Sequence, residues 1–296
     1  MFHPRNRHQG RYDFDALVAS SPGLAAHIRP NAYGDPSVDF ADPAAVKALN
    51  RALLKAWYGL TYWDIPDDRL CPALPGRADY VHYAADLLAE TNGGKVPAGP
   101  RVRALDIGVG ANAVYPLIGH GEYGWSFVGA DTDRTALESA LRIVACNPGL
   151  IDRIALRPQQ RRDHLLRGVV GDDERFDITF CNPPFHTSAD EAAAGSMRKW
   201  RNLGKPAGGK TPALNFGGCP EELWCPGGEV AFVVRLIGES AAMPHAANWF
   251  TSLVAKSEHL PPILDAVRRS GAAAHRVVEM AQGAKKSRFV AWRFRR

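Results

Sequence analysis

A short buried strand that ends at two consecutive prolines constrains this chain more than any other stretch. Residues 176–181 (FDITFC) are rich in β-branched and aromatic side chains, a composition typical of a buried strand. Pro183 and Pro184 have no backbone N–H to donate to a sheet, so the strand must end before them. Asn182 and Phe185 flank the two prolines. The sequence therefore predicts a stiff turn at a strand tip, with an amide on one side and an aromatic ring on the other.

The predicted tip suits the exocyclic amine of a nucleobase, which is a poor nucleophile because its lone pair is delocalised into the ring. The Asn182 side-chain oxygen and the Pro183 carbonyl can both accept a hydrogen bond from such an amine and turn its lone pair toward an electrophile. The Phe185 ring offers a stacking face for the base. The alternative interpretation is an ordinary strand followed by a proline loop, with Phe185 in the core.

A strand, a glycine-rich turn and a helix earlier in the chain predict a nucleotide-type cofactor site. The strand at residues 103–107 runs into a GVGANA turn, which fits the G-x-G-x-x-A pattern. Gly108 and Gly110 allow the backbone to approach a ligand closely. The next predicted strand, residues 125–130, delivers Asp131 roughly 20 residues beyond the turn, where folds of this kind hold a ribose diol.

Two cofactors fit this turn. A dinucleotide would place its pyrophosphate on the helix N-terminus. S-adenosylmethionine has no phosphate, and its ammonium group would favour the nearby Asp106 carboxylate, directly or through water. A dehydrogenase has no evident need for the Asn-Pro-Pro-Phe tip, whereas a methyltransferase of exocyclic amines does. The methyl donor is therefore the favoured cofactor.

The order of the predicted elements indicates an α/β fold with a mostly parallel, doubly wound sheet. A small helical N-terminal region, residues 1–76, precedes the main domain, residues 77–296. Further strands are predicted at residues 151–156, 228–234, 249–254 and 288–294, and helices start at Asp42-Pro43, Arg77, Thr135 and Pro262. Ligands of such sheets bind at the carboxyl ends of the strands. Asp106, Gly108, Asp131 and Asn182 all fall at or just past such ends, so we expect them to form one site.

Composition narrows the class of protein and its partners. The chain has 296 residues, a formal net charge of +5 and a pI of about 9.0, a mild basic excess that favours a polyanionic partner. It has no leader-like apolar segment and no apolar run of about 18 residues, which predicts a cytoplasmic protein with no membrane contact. The five cysteines form no C-x-x-C pair, so neither a disulfide framework nor a zinc site is indicated.

Two basic segments are candidates for contact with nucleic acid. Arg5, Arg7 and Arg11 lie in an N-terminal arm that can bind phosphates, although its composition also fits a solvated terminus. Region 186–228 is rich in glycine, lacks clear periodicity and follows the tip directly. We interpret it as a mobile lid that meets nucleic acid, and the alternative interpretation is a disordered segment. Its basic residues include Arg198, Lys199, Arg201 and Lys205.

Several blocks of the sequence resemble known families. The stretches LDIGVGANAVYPLIG (105–119), VGADTD (128–133) and CNPPFH (181–186) are similar to class I S-adenosylmethionine-dependent methyltransferases. The chain also resembles F-type large-subunit ribosomal RNA adenine-N6 methyltransferases, the bacterial relatives of the eukaryotic U6 small nuclear RNA adenine methyltransferase. The blocks that carry this second resemblance are HPRNRHQGRYDF (3–14), DFADPAAVKALNRALL (39–54), RKWRNLGK (198–205), LNFGG (214–218), ELWCPGGE (222–229) and QGAKKSRFVAWRF (282–294).

The resemblance covers nearly the whole chain and implies a function. It implies a Rossmann-like class I fold and transfer of a methyl group from S-adenosylmethionine to N6 of a specific adenine in 23S ribosomal RNA. Separately from the resemblance, we expect no metal and a monomer. The adenine pocket would be formed by Asn182, Pro183, Pro184 and Phe185. The methyl donor would be bound by Arg77 at its carboxylate end and by Asp131 at its ribose. Gly108 and Gly110 would pass close to it, with Asp106 nearby, and Asn182 would contact it as well. The N-terminal arm and the 198–210 loop would hold RNA.

Two other functions stay open at this point. One is a guanine-N2 ribosomal RNA methyltransferase, since these enzymes carry a similar Asn-Pro-Pro-Phe-His motif; the HPRNR arm argues against it by resemblance. The other is a non-catalytic RNA-binding factor of ribosome assembly that has kept the fold. Weak binding of S-adenosylmethionine would favour this second alternative.

Overall fold

The computed structural model describes residues 1–188, 191, 220–282 and 285–295. Its strands are β1 (Ile28–Pro30), β2 (Pro36–Val38), β3 (Arg103–Ile107), β4 (Ser126–Asp131), β5 (Ile154–Pro158), β6 (Phe176–Cys181), β7 (Ala247–Val254), β8 (Ala274–Gln282) and β9 (Lys285–Arg293). Within these residues the central sheet has 7 strands in the order β5-β4-β3-β6-β7-β9-β8. The first five in this order are parallel, and β9 pairs antiparallel with both β7 and β8.

Helices cover both faces of the sheet. They are α1 (Phe14–Ser20), α2 (Pro43–Tyr58), α3 (Leu74–Glu90), α4 (Val114–Tyr123), α5 (Arg134–Ala145), α6 (Pro220–Leu223), α7 (Gly228–Ala242) and α8 (Leu260–Arg269). One apolar cluster joins α1 to α5 with one face of the sheet, and a second joins α7 and α8 with the other. Neighbouring strand residues alternate between the clusters, as Ala104 and Leu105 do. This is the doubly wound α/β architecture that the sequence predicted.

The register of the sheet brings three strand ends to one edge. Ile107, the last residue of β3, pairs with Ala130 of β4 and with Cys181 of β6. The two strands predicted at 103–107 and 176–181 are confirmed at their predicted bounds. The residues that follow β3, β4 and β6 therefore meet, as expected for parallel strands.

One predicted strand is wrong, because residues 228–234 form the first half of α7. Val230, Phe232 and Val233 have high strand propensity, which explains the prediction. Gly227 and Gly228 turn the chain into the helix with φ angles of 77° and 65°. Burial of Val233 and Leu236 in the second apolar cluster then fixes a helical repeat. Tertiary packing overrides local propensity here.

Smaller differences concern the edges of the sheet. The strand predicted at 151–156 is β5, Ile154–Pro158, and strand β8 was not predicted. Helix α3 begins at Leu74, with Pro75 in its first turn, instead of at Arg77. Among the described helices, none combines the length and the apolar character that a membrane crossing requires.

Candidate active site

A cavity of about 520 Å³ lies at the carboxyl ends of β3, β4 and β6. The predicted site residues that line it are Arg77, Gly108, Gly110, Asp131, Asn182 and Pro184. Three predicted residues are not part of its lining, namely Asp106, Pro183 and Phe185. Each of them is next in sequence to a residue that does line the cavity. The structure therefore brings most of the predicted cofactor residues and the strand tip to one cavity.

The glycine turn is held against the end of β4. Gly108 and Gly110 have φ angles of 78° and 63°, a region in which side-chain-bearing residues are strained. The backbone N–H groups of Gly108 and Val109 donate to the Ala130 carbonyl at 2.8 and 3.0 Å. The N–H of Gly110 donates to the Asp131 carboxylate at 2.9 Å. The turn and the predicted ribose ligand are thus parts of one hydrogen-bonded unit.

The Asp131 carboxylate is positioned by backbone groups. Besides the Gly110 N–H, it accepts a hydrogen bond from the N–H of Asp133 at 2.9 Å. Burial raises the pKa of Asp131, and these backbone donors oppose the increase. Each carboxylate oxygen can accept a further hydrogen bond, so the group can still bind a hydroxyl in the cavity.

Asp106 is a buried carboxylate without a hydrogen-bond partner in the described structure. Its side chain is 1% exposed, and neither carboxylate oxygen has a partner. Burial raises its pKa well above the ordinary value; Asp131 adds to this increase, and Arg77 opposes it. A buried polar group of this kind requires an explanation. Asp106 directly precedes Ile107 and Gly108, which line the cavity, so an ammonium group bound there would satisfy it, directly or through water. The residues present therefore fit S-adenosylmethionine.

Arg77 has no carboxylate partner among the described residues. Its Nη1 donates to the Tyr115 hydroxyl at 2.7 Å, and its guanidinium carbon lies 5.6 Å from the centre of the Tyr115 ring. Both side chains line the cavity. Since Tyr115 fixes the guanidinium without neutralising it, Arg77 is positioned to receive an anion.

The strand tip presents its amide to the same cavity. Asn182 is half-buried, lines the cavity and makes no hydrogen bond within the described chain through its side chain. Pro183 is buried, whereas Pro184 lines the cavity. The ring of Phe185 packs on the ring of His186 with a centroid separation of 4.4 Å. The predicted stacking face of Phe185 is therefore outside the cavity lining.

A segment that sequence reasoning missed closes the cavity beside the tip. The N–H of His186 donates to the Leu223 carbonyl at 3.0 Å, and the N–H of Cys225 donates to the His186 carbonyl at 3.1 Å. These bonds hold Trp224 against the tip, and Trp224 lines the cavity. The block ELWCPGGE contained this residue, but its partner in the fold is 38 residues earlier in the sequence (His186 to Trp224).

The N-terminal arm is packed against the fold. His3 and Asn6 are buried, and both bind Asp79 of α3: the His3 N–H and the Asn6 side-chain amide donate to its Oδ1. Arg5 forms an ion pair with Asp86 at 2.7 Å, so the alternative of a solvated terminus is wrong.

The other two arginines of the arm also have carboxylate partners. Arg7 pairs with Glu122 at 2.8 Å and Arg11 with Asp35 at 2.6 Å. The side chain of Arg11 is 81% exposed, so most of its guanidinium faces solvent. The other predicted RNA-binding residues, Arg198, Lys199, Arg201 and Lys205, lie outside the described residues. In the part of the chain that is described, no group of His, Cys, Asp or Glu residues is arranged to hold a metal ion.

A cavity at the carboxyl ends of a doubly wound parallel sheet, floored by a glycine turn, is typical of α/β proteins that bind a nucleotide-type cofactor, and the unpaired Asp106 carboxylate favours S-adenosylmethionine among these cofactors. A model of the RNA methyltransferase family matches residues 1–296, and the chain belongs to that family.

Two curated relatives are similar over almost the whole chain. The chain is 57% identical over 293 residues to "Ribosomal RNA large subunit methyltransferase F" of Pseudomonas savastanoi pv. phaseolicola, covering 99% of this chain and 89% of the relative. It is 58% identical over 293 residues to the protein of the same name from Pseudomonas putida strain F1, covering 99% of this chain and 92% of that protein.

Solved structures of a more distant relative share the fold. The hMettl16 catalytic domain in complex with MAT2A 3'UTR hairpin 1 superposes with a TM-score of 0.81 and 30% identity, over 99% of this chain and 96% of that chain. The N-terminal domain of human METTL16 in complex with SAH gives a TM-score of 0.77 and 28% identity, over 100% of this chain and 99% of that chain.

Proposed function

We propose that this protein transfers a methyl group from S-adenosylmethionine to the N6 amine of one adenine in large-subunit ribosomal RNA. The names of the curated relatives support ribosomal RNA as the substrate class, and the RNA complex of hMettl16 supports RNA binding by this fold. The choice of an exocyclic amine rests on the Asn-Pro-Pro-Phe tip. Since ribosomal RNA is the proposed substrate, we place the protein in the cytoplasm. We also propose that it acts as a monomer.

One observation carries the proposal. The Asn182 amide, which has no hydrogen-bond partner in the described chain, lines the same cavity as Asp131 and Arg77. An amine held by Asn182 would therefore lie next to a donor held by the glycine turn. Alignment of two reactants in one site is the main source of rate in a reaction of this kind.

The chain's own residues have separate roles in this proposal. Arg77 binds the carboxylate of the donor, Asp106 its ammonium and Asp131 its ribose hydroxyls, while Gly108 and Gly110 allow the close approach of the backbone. When bound, S-adenosylmethionine supplies an electrophilic methyl group on a sulfonium.

Asn182 and the Pro183 carbonyl accept hydrogen bonds from the adenine amine, which turns its lone pair toward the methyl group. The amine nitrogen forms the new N–C bond, the electrons of the broken S–C bond stay on the sulfur, and the amine then releases one proton to water. The adenine must be unpaired or flipped out to reach the cavity. Trp224, beside the tip, offers the base a stacking face within the lining.

We assign RNA contact to the N-terminal region, residues 1–76, and to the basic residues of the 186–228 region, with methyl transfer in residues 77–296. In the arm, Arg11 is the most exposed of the three arginines and is free to turn toward a phosphate at the cost of one surface ion pair. Arg5 also ties the arm to α3, since it donates to the His82 carbonyl at 3.0 Å.

Mass spectrometry of ribosomal RNA nucleosides tests the proposal. RNA from cells that lack the gene should lose one N6-methyladenosine from the large subunit, and the wild-type gene should restore it whereas Asn182→Ala should not. An unchanged N6-methyladenosine content would refute the adenine assignment. A loss of N2-methylguanosine instead would point to the guanine alternative, and full function of Asn182→Ala would point to a binding factor.

A further inference from the structure

A buried carboxylate on α7 organises one wall of the donor cavity. Glu239 is 7% exposed and forms no ion pair within the described residues. Its carboxylate accepts hydrogen bonds from three successive backbone N–H groups: those of Leu165 at 3.0 and 3.1 Å, Leu166 at 2.7 Å and Arg167 at 3.1 Å. Such a set of donors compensates the burial of a charge.

The segment that Glu239 holds belongs to the cavity. Residues 159–167 follow β5 without a regular element of their own, and the segment contributes Gln159, Arg162, Asp163, His164 and Leu165 to the lining. Backbone conformation in such a segment depends on side-chain ties, because no helix or strand ladder fixes it.

The position of this segment identifies which end of the donor it faces. The Gln159 N–H donates to the Asp131 carbonyl at 2.8 Å, so the segment starts beside the predicted ribose ligand. Strand β5 lies beyond β4 in the sheet, on the side opposite β6. The segment is therefore on the far side of the ribose from Asn182, where the adenine base of the donor has to lie.

Two further contacts lead to the same segment. The Gln159 side chain accepts from the Arg161 N–H at 3.0 Å and donates to the Arg167 carbonyl at 2.9 Å, which closes the segment on itself. Arg235, one turn before Glu239 on α7, donates to the Arg162 carbonyl at 3.4 Å. Helix α7 thus supports the wall at two points.

We infer that Glu239 is a positioning residue that shapes the adenosine wall of the donor site. This inference rests on the proposed function, since it takes the cavity as the donor site. The substitution Glu239→Gln keeps the shape but removes the charge, and it turns an NH₂ group toward backbone donors. Hydrogen bonds to a charged group are the strong ones, so we expect adenosine-containing ligands to bind about tenfold more weakly.

Isothermal titration calorimetry with two ligands distinguishes effects on binding at the two ends of the cavity. S-adenosylhomocysteine carries both adenosine and the amino-acid end, whereas 5′-methylthioadenosine lacks the amino-acid end. We expect Glu239→Gln to weaken the binding of both ligands by the same factor. Arg77→Met should weaken the binding of S-adenosylhomocysteine and leave the binding of 5′-methylthioadenosine unchanged.

Ser240→Ala serves as the matched control. Ser240 is the next residue of α7, is fully buried, and accepts a hydrogen bond from the Trp292 indole at 2.9 Å, away from the cavity. This variant should lower the melting temperature as Glu239→Gln does, while both ligands bind as in the wild type. The control thereby distinguishes a general loss of stability from a specific change in the 159–167 segment that lines the cavity.

Three results would overturn the inference. They are binding of S-adenosylhomocysteine to Glu239→Gln within twofold of the wild type, a loss confined to S-adenosylhomocysteine, and an equal loss in Ser240→Ala. If Arg77→Met also left S-adenosylhomocysteine binding unchanged, the assignment of the cavity itself would fail. The failure of Glu239 alone would leave that assignment intact.

Discussion

Replacement of Asp106 by asparagine should stabilise the ligand-free protein and impair binding of the methyl donor. In the absence of a ligand, both oxygens of this carboxylate are buried without a partner in the described structure. Asparagine leaves a polar group at this position but removes the charge, and a buried charge without a partner costs on the order of 1–3 kcal/mol more than a neutral polar group. For 296 residues, an unfolding entropy of about 2.1 cal/mol/K per residue converts this into a rise in melting temperature of about 2–5 °C.

The effect on donor binding has the opposite sign. Loss of a charge-assisted hydrogen bond to the donor ammonium, worth about 1.5–3 kcal/mol, corresponds to about 10- to 150-fold weaker binding. Scanning fluorimetry measures both quantities, as the melting temperature of each protein with and without S-adenosylhomocysteine. We expect Asp106→Asn to melt above the wild type without ligand and to lose most of the ligand-induced increase.

The stability difference between the two proteins should depend on pH. Burial raises the pKa of Asp106 above its unfolded value, so its contribution to stability is present at low pH and is lost as the pH rises through the folded pKa. The advantage of Asp106→Asn should therefore vanish below the ordinary carboxyl pKa and increase toward neutral pH. Glu174 is the control: its burial is outweighed by hydrogen bonds from Arg157 and Arg103, which lower its pKa to about 2, so Glu174→Gln should lower the melting temperature at neutral pH. A lower melting temperature for Asp106→Asn at neutral pH, or an undiminished response to ligand, would refute the reasoning.

Three further predictions follow from single contacts. Burial lowers the pKa of His8 to about 4, with Arg7 as the second cause, so between pH 6.5 and about 4 the unfolded chain binds a proton that the folded chain does not. The melting temperature of His8→Asn should therefore fall less steeply than that of the wild type as the pH is lowered through this range. An equal slope for the two proteins would contradict this. A Cβ at Gly129 would lie 2.8 Å from Cγ2 of Val109, which lines the cavity. Gly129→Ala should therefore lower the stability of the fold by about 1–3 kcal/mol through overpacking and weaken the binding of S-adenosylhomocysteine measured by calorimetry. Gly149→Ala, with open space around the new Cβ, should have neither effect. Trp224→Ala should raise KM for RNA by about tenfold through loss of base stacking and leave binding of S-adenosylhomocysteine unchanged; an unchanged KM for RNA would exclude the stacking role.

The sequence was most informative where local chemistry dictates local structure. Two consecutive prolines must end a strand, so β6 and its tip were predicted at their observed positions. The closely spaced glycines after β3 predicted a turn, and Gly108 and Gly110 form it with positive φ angles. The α/β class followed from the order of such units.

The parts of the site that were missed depend on contacts between distant residues. Trp224 lines the cavity because its neighbours pair with His186, and Glu239 reaches a segment more than 70 residues away (Leu165 to Glu239, 74 residues). Neither pairing leaves a local pattern. The wrong strand at 228–234 has the same origin, because α7 is buried against strands and a helix that are distant in the sequence, among them β3 and α8.

The burial of the N-terminal arm was also not evident from composition. His3 and Asn6 read as polar residues of a solvated terminus, but the carboxylate that binds them is on α3, at Asp79. The His3 N–H and the Asn6 amide both donate to one oxygen of this carboxylate, which allows these two polar residues to be buried.

The single-turnover rate of methyl transfer by Asn182→Ala tests the central claim most directly. The measurement uses saturating S-adenosylmethionine and large-subunit ribosomal RNA from cells that lack the gene, with product read as N6-methyladenosine. If Asn182 holds the reacting amine, the rate should fall on the order of a hundredfold, while S-adenosylhomocysteine binds within a few-fold of its wild-type affinity. A rate equal to that of the wild type, with the same product, would contradict the account.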